Sequence, residues 1–160
     1  DYLEVMEYKK PARRAYNCCS GNHAGFLTLC KTYKESTQNY RLYSHPAQRR
    51  WFDIVGDFTD LHSLQLPWGY DGCGIPTLAI PLQRLAKAYA RFATLDEIPE
   101  QYKTAVETLH LAIAENPTMF GGTGELPTTI AKTLSSKLIV KNGAEGVYIA
   151  SLPELGYGIA

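Results

Sequence analysis

The spacing of apolar residues along the chain predicts four amphipathic helices. In each helix, apolar side chains recur every three or four positions and therefore share one face. These positions are Phe26, Leu27, Cys30 and Tyr33, then Trp51, Ile54, Val55 and Phe58, then Leu82, Leu85, Tyr89 and Phe92, and finally Tyr102, Val106, Leu109 and Ile113. Ser20 or Asn22 is available as the N-cap of the first helix. Lys87 and Arg91 are predicted to face water from the third.

The remaining segments carry strand and turn patterns. Three glycines and two prolines between Leu64 and Pro76 predict a loop or an edge strand there. Residues 119–124 form a Gly-rich connection, and a short helical turn or two is predicted around residues 128–134. Three apolar runs then predict a β-meander, with Asn142-Gly143 as its hairpin signal. We therefore predict a mixed α/β (α+β) fold and draw no domain boundary within residues 1–160.

Composition and charge exclude several classes of protein. The 16 basic and 16 acidic residues give a formal net charge of +0, so no overall field attracts nucleic acid or an anionic membrane surface. No apolar run approaches the roughly 18 to 20 residues that a membrane-spanning helix needs. Four cysteines are too few for a disulfide scaffold of this size, which favours a reducing, cytoplasmic location. Neither end of the sequence is typical of a natural terminus, so we expect a fragment of a longer protein.

The first stretch with candidate chemistry is Cys19-Ser20-Gly21-Asn22-His23, at the start of the first helix. Backbone N–H groups and the positive end of the helix dipole favour a bound carboxylate or oxyanion there, and they lower the pKa of a nearby thiol. The alternative is purely structural. In that case Ser20 or Asn22 caps the helix, His23 lies on its surface, and Cys19 is a small buried residue.

The second stretch is Asp71-Gly72-Cys73-Gly74, in which the glycines allow close approach of a ligand to the backbone. It is either an ordinary Asp-Gly turn or a place where one carboxylate and one thiol face the same space. Together with Cys19 it offers two sulfurs and a carboxylate for tetrahedral zinc, although no CxxC pair is present. Cys18 and Cys30 are expected to be packing residues.

The third stretch with candidate chemistry is Lys141-Asn142-Gly143. It is close to the Lys-(Thr/Ser)-Gly element of serine acyl-transfer enzymes, or it is simply a lysine on a hairpin.

Five motifs occur in one order along nearly the whole chain. They are residues 17–25, 43–48, 71–77, 85–91 and 141–148. In this order they resemble the rhizobial-type L-asparaginases, the asparaginase II family. The resemblance implies a fold similar to that of the serine β-lactamases and glutaminases, with a helical lobe beside an antiparallel sheet, incomplete in this fragment. It also implies hydrolysis of L-asparagine to L-aspartate and ammonia.

The resemblance also implies roles for particular residues. Zinc would be held by Cys19, Cys73 and position 22, where this chain has Asn22 instead of the family's lysine, and an amide is a poorer zinc ligand. Asp71 would orient the bound water or the substrate amino group, and Lys141 would activate a serine. The pocket for substrate would be formed by Ser20, Asn22, His23 and Gly72. Glu125-Leu126-Pro127 stands where the family has Arg-Phe-Asp.

The family's nucleophile is a serine of a Ser-x-x-Lys pair, and no serine in this sequence is followed three residues later by lysine. We expect that pair to lie upstream and this fragment alone to be inactive; the alternative is that the chain has lost it. Two other functions remain open: a non-catalytic structural or interaction domain derived from the fold, and a hydrolase of another amide or a β-lactam. The expected partner is a small-molecule substrate, not nucleic acid or a membrane, and a homodimer is left open.

Overall fold

The computed structural model describes Glu7, Pro11 and residues 13–160. These residues form six α-helices and two small antiparallel sheets, so the predicted mixture of helices and strands is confirmed. The chain divides into two compact units, which are residues 1–53 with 67–79 and residues 54–66 with 80–160. Among the described helices, none combines the length and the hydropathy that a membrane crossing requires.

The four helices predicted from periodicity are all present. The helices are α1 (Ser20–Thr32), α2 (Pro46–Thr59), α3 (Leu82–Thr94), α4 (Glu100–Glu115), α5 (Pro117–Gly121) and α6 (Leu126–Leu134). The strands are β1 (Trp68–Tyr70), β2 (Pro76–Leu78), β3 (Ile139–Asn142), β4 (Tyr148–Leu152) and β5 (Tyr157–Ile159). The prediction missed α5, because a helix of one turn inside a Gly-rich connection shows no amphipathic period.

The first unit contains α1, the beginning of α2 and the hairpin of β1 and β2. The hairpin pairs Trp68 with Leu78 and Tyr70 with Pro76, which confirms the predicted edge-strand segment. Trp68 stacks on Tyr43 with ring centroids 4.2 Å apart, so an aromatic contact anchors β1. The most buried residues of α2 in this unit are Ala47, Gln48 and Phe52, all 0% exposed, rather than the predicted Trp51.

The second unit is built on the three-stranded sheet β3-β4-β5 with α3 packed against β4 and β5. Gly158 is required in β5, because a Cβ at this position would overlap the backbone of Ala86 and Ala90 in α3. The predicted hairpin between β3 and β4 exists, but the position predicted for its turn is wrong. Positive φ angles occur at Glu145 (56°) and Gly146 (76°), whereas Gly143 has φ −124°.

Arg91 in α3 is buried, with 8% of its surface exposed, so the prediction that it faces water is wrong. Its Nη1 donates to the Phe58 carbonyl at 3.0 Å and to Asp60 Oδ1 at 2.6 Å, and its Nη2 donates to Glu97 at 3.0 Å. The first bond satisfies a carbonyl group near the C-terminal end of α2, and the other two pair the guanidinium with carboxylates. Helical periodicity therefore placed Arg91 on the polar face but could not show that acceptors cover that face.

Candidate metal centre

The residues that precede α1 form a turn held by Asn17. The Cys19 N–H donates to Asn17 Oδ1 at 2.8 Å, and the Ser20 N–H donates to the Asn17 carbonyl at 3.0 Å. Cys19, rather than Ser20 or Asn22, is therefore the residue that caps α1, and the predicted choice of N-cap is wrong. The turn fixes the position of the Cys19 side chain at the beginning of the helix.

The loop between β1 and β2 fixes Asp71 and Cys73. The Asp71 N–H donates to the Ile75 carbonyl at 2.9 Å, and the Gly74 N–H donates to the Asp71 carbonyl at 2.8 Å. Gly74 has φ 82°, a backbone conformation that residues other than glycine rarely adopt. The Gly72 N–H donates to Asp71 Oδ1 at 2.7 Å, and a Cβ on Gly72 would meet open space. The backbone of this loop is thus open to an approaching ligand.

The structure brings Cys19, Asp71 and Cys73 together, although they are distant in sequence. One ligand atom of each residue lies within 4.8 Å of the others. Both thiols are partly exposed and Asp71 is exposed, so the cluster lies at the surface of the first unit. The Sγ of Cys18 lies 3.8 Å from the Sγ of Cys19. Two thiols and a carboxylate therefore lie within reach of one cation, and the thiol of Cys18 lies beside that of Cys19.

The thiol of Cys19 does not have the lowered pKa expected at a helix start. Its hydrogen bond with Cys18, its desolvation and the nearby Cys73 thiol raise the pKa of Cys19 to about 11. The expectation is wrong because neighbouring sulfurs disfavour a thiolate more than the first turn of α1 favours it. Cys19 is consequently a weak free nucleophile, and a cation is the natural replacement for its proton.

The chemistry of these donors fits zinc. A Zn–S distance of about 2.3 Å in a tetrahedral site places two thiolates about 3.8 Å apart, and a carboxylate oxygen is also an accepted ligand. The ligand atoms of Cys19, Asp71 and Cys73 already lie within 4.8 Å of one another. Small movements of these side chains would bring the atoms to such distances. Asn22 is exposed in the first turn of α1, and its amide is a weaker ligand than any of these three groups.

His23 lies one turn into α1 and is held by a residue that the sequence did not indicate. Its Nδ1 shares a hydrogen bond with the Tyr40 hydroxyl at 2.5 Å, with the two rings edge to face. The carbonyl of Tyr40 accepts from Gln48 Nε2 at 2.8 Å, and Gln48 is 0% exposed. No periodicity or motif marks Tyr40, because the loop that carries it is defined only by these tertiary contacts.

Lys141 lies in β3 of the second unit, not on a turn as its Asn-Gly neighbours suggested. Its Nζ donates to the carbonyl of Asn142 at 2.9 Å and to Asn142 Oδ1 at 3.1 Å. Lys141 also contributes to the wall of a cavity of about 540 Å³ that is otherwise lined mainly by apolar side chains of the same unit. The Lys141 ammonium is therefore oriented by its own strand and borders an apolar space.

A second cluster in the first unit consists of Cys30, Glu35 and His45, whose ligand atoms also lie within 4.8 Å of one another. The sequence predicts Cys30 to be a packing residue. Both oxygens of Glu35 accept from Arg50, at 2.9 and 2.5 Å. His45 Nε2 bonds the Ser36 carbonyl at 3.0 Å, and its Nδ1 accepts from the Ala47 N–H at 3.1 Å. The carboxylate of Glu35 and both ring nitrogens of His45 therefore already have partners, and Cys30 is buried, so the cluster is structural.

A comparison with protein families finds that the model described as L-asparaginase II matches residues 2–160, essentially the whole chain. A search of curated proteins finds no match. The matched range contains all five motifs and both clusters described above.

Proposed function

Since the chain belongs to the L-asparaginase II family, we propose that it is an amidohydrolase that converts L-asparagine to L-aspartate and ammonia. The observation that supports this proposal within the molecule is the cluster of Cys19, Asp71 and Cys73 at the surface of the first unit. The proposal includes a fold similar to that of the serine β-lactamases. Its substrate class is a small amino acid with a side-chain amide.

Cys19 and Cys73 are proposed to hold zinc, which would position the substrate by fixing the loop that carries Asp71 and Gly72. Asp71 is exposed beside these thiols, so its carboxylate is suited to accept hydrogen bonds from the α-ammonium of an amino acid. Gly72 is proposed to contribute backbone that the substrate can approach, because no atom would obstruct even a Cβ there. The charge and the openness of this loop both favour a zwitterionic ligand.

The first turn of α1 is proposed to bind the substrate oxygen. The amides of Ser20 and His23 are already committed to the carbonyls of Asn17 and Cys19. The amides of Gly21 and Asn22 are therefore the ones that we assign to the substrate. His23, which Tyr40 holds in place, is proposed to contact the substrate from the same turn.

Lys141, in its amine form, is proposed to accept the proton of a serine hydroxyl of the intact protein. The serine oxygen would attack the amide carbon, and the C–N bond would break as the nitrogen leaves as ammonia with a proton from the lysine. Water would then hydrolyse the acyl-enzyme and regenerate the serine. The bonds from Nζ to Asn142 support this role, because they hold the lysine nitrogen in one orientation.

The test measures the release of ammonia from asparagine and glutamine, and the change in absorbance of a chromogenic β-lactam, with the intact protein. We expect turnover of asparagine above the other two, and a loss of at least about 100-fold in kcat/KM for Asp71→Asn. The matched control is Asp53→Asn, an exposed aspartate of the same unit outside the cluster, which should retain activity. Absence of turnover with all three substrates would instead support a non-catalytic domain.

A further inference from the structure

We propose that Cys18 is a third thiolate ligand of the centre formed by Cys19, Asp71 and Cys73. The centre would then bind zinc or another thiophilic divalent cation through three sulfurs and one carboxylate. This inference deepens the proposed function, because it concerns the same cluster. It does not depend on asparagine being the substrate.

The distance between the adjacent thiols supports this assignment. Cys18 Sγ and Cys19 Sγ lie 3.8 Å apart, which is close to the spacing of about 3.8 Å that two thiolates adopt on tetrahedral zinc. It is far longer than the S–S bond of about 2.05 Å, and both residues are free cysteines. The neighbouring residues therefore already present their sulfurs at the separation that one cation requires.

The turn at Asn17 fixes the backbone next to these two sulfurs. Asn17 accepts the N–H groups of Cys19 and Ser20, at 2.8 and 3.0 Å, so the backbone that carries both thiols is fixed at two points. Cys18 is exposed, whereas Cys19 is half-buried, with its Sγ 3.8 Å from that of Cys18 and within 4.8 Å of that of Cys73. Cys18 is outside the group of three that lie within 4.8 Å of one another, so its side chain rotates toward Cys73 when a cation binds.

The chemistry of the alternatives favours Cys18. Thiolates are strong ligands for zinc, whereas a neutral amide such as that of Asn22 is a weak one. Cys18, Cys19, Cys73 and Asp71 together complete a tetrahedral set, and each thiol releases its proton to solvent on binding. A set of three thiolates also predicts strong binding of Cd²⁺ and little binding of Mg²⁺.

The test measures metal binding by the purified, reduced protein without any activity assay. Co²⁺ is added to wild type and to Cys18→Ser, and the sulfur-to-cobalt charge-transfer absorption is recorded together with the affinity in competition with a chelator. We expect Cys18→Ser to lose about one third of the absorption, because three thiolates become two, and to bind at least about tenfold more weakly. Cys18→Asp should regain affinity but not absorption. Cys30→Ala, which removes a thiol outside the cluster, should match wild type.

Two results would overturn the inference. The first is equal absorption and equal affinity in wild type and Cys18→Ser, which would show that Cys18 is not a ligand. The second is the absence of Co²⁺ and Zn²⁺ binding by wild type. Neither result depends on turnover, so an inactive protein that binds cobalt through three thiolates would contradict the proposed function and still support the role of Cys18. Circular dichroism of each variant separates ligand loss from unfolding.

Discussion

The first unit holds two clusters of similar composition, and their surroundings differ. Cys19-Asp71-Cys73 and Cys30-Glu35-His45 each combine a thiol and a carboxylate within 4.8 Å. The first cluster is at the surface, and its carboxylate oxygen bonds only the neighbouring Gly72 amide among the contacts described above. In the second, Cys30 is 0% exposed and Glu35 is held by Arg50. A cation can therefore replace protons in the first cluster but would have to break existing bonds in the second.

The comparison teaches that proximity of ligand-type residues is not sufficient for a metal site. What distinguishes the clusters is whether their lone pairs are already used. The imidazole nitrogens of His45 bond Ser36 and Ala47, and the carboxylate of Glu35 forms a bidentate pair with Arg50. Such a set stabilises the loop between α1 and α2, because the Glu35 carboxylate and both His45 nitrogens have partners.

The largest effect is expected when a thiol of the first cluster is removed. Cys19→Ala and Cys73→Ala should each weaken zinc binding by at least about 100-fold, since loss of a ligand exceeds the effect of losing its supporting contacts. Cys30→Ala should leave the zinc affinity unchanged. Chelator competition measures all three, and equal affinities would erase the distinction between the two clusters.

A smaller effect on metal binding is expected from the carboxylates. Asp71→Asn removes one charge and one good ligand oxygen but keeps the shape of the loop, so zinc affinity should fall about tenfold. Glu35→Gln is the matched control from the second cluster and should not change the affinity. Isothermal titration calorimetry would measure the zinc affinity of both variants. A larger loss in Glu35→Gln than in Asp71→Asn would show that the cation binds at the second cluster.

Arg50→Met tests the structural role of the second cluster. It should lower the melting temperature by roughly 2 to 4 °C without changing zinc affinity, because Glu35 loses its bidentate partner. Lys31→Met, an exposed cation on α1, is the control and should melt like wild type. A changed zinc affinity in Arg50→Met would show that the clusters are coupled.

The stabilisation from this pair should also depend on pH. The hydrogen bonds from Arg50 hold the pKa of Glu35 below its ordinary value of 4.5. A carboxyl with a lowered pKa in the folded state stabilises the fold above its ordinary pKa, and this contribution is lost as pH falls through the lowered value. The difference in melting temperature between wild type and Arg50→Met should therefore be full near pH 7 and shrink below about pH 4.5. A difference that grows in acid would contradict this assignment.

His45→Gln should have the smallest effect. The substitution removes the ring that joins the Ser36 carbonyl to the Ala47 N–H, and a net hydrogen bond contributes about 0.5 to 1.5 kcal/mol. Urea unfolding should show a loss in that range, with zinc affinity unchanged. A loss of zinc binding would place His45 among the ligands.

The sequence predicted the elements better than the site. Apolar periodicity located α1 to α4 because burial of one face is a local pattern, but it could not show that Arg91 finds acceptors at the end of α2. The Asn142-Gly143 signal predicted the hairpin but not its turn, because Glu145 and Gly146 adopt the positive φ angles instead.

For the site, residue types and motif order indicated Cys19, Asp71 and Cys73 individually. Their convergence depends on how the Asn17 turn and the β1-β2 loop are placed in the folded unit, and no spacing in the sequence contains that information. Tyr40 was missed for the same reason, because only the fold brings its hydroxyl to His23. Cys18 was read as a packing residue, whereas it is exposed beside Cys19.

The central claim is that a cation binds at Cys19 and Cys73 and not at Cys30, Glu35 and His45. Anomalous diffraction at the zinc absorption edge, from crystals of the intact protein grown with one equivalent of zinc, tests it most directly. The account predicts a strong anomalous peak between the sulfurs of Cys19 and Cys73 and none at the second cluster. A peak at the second cluster, or no peak at the first, would contradict it.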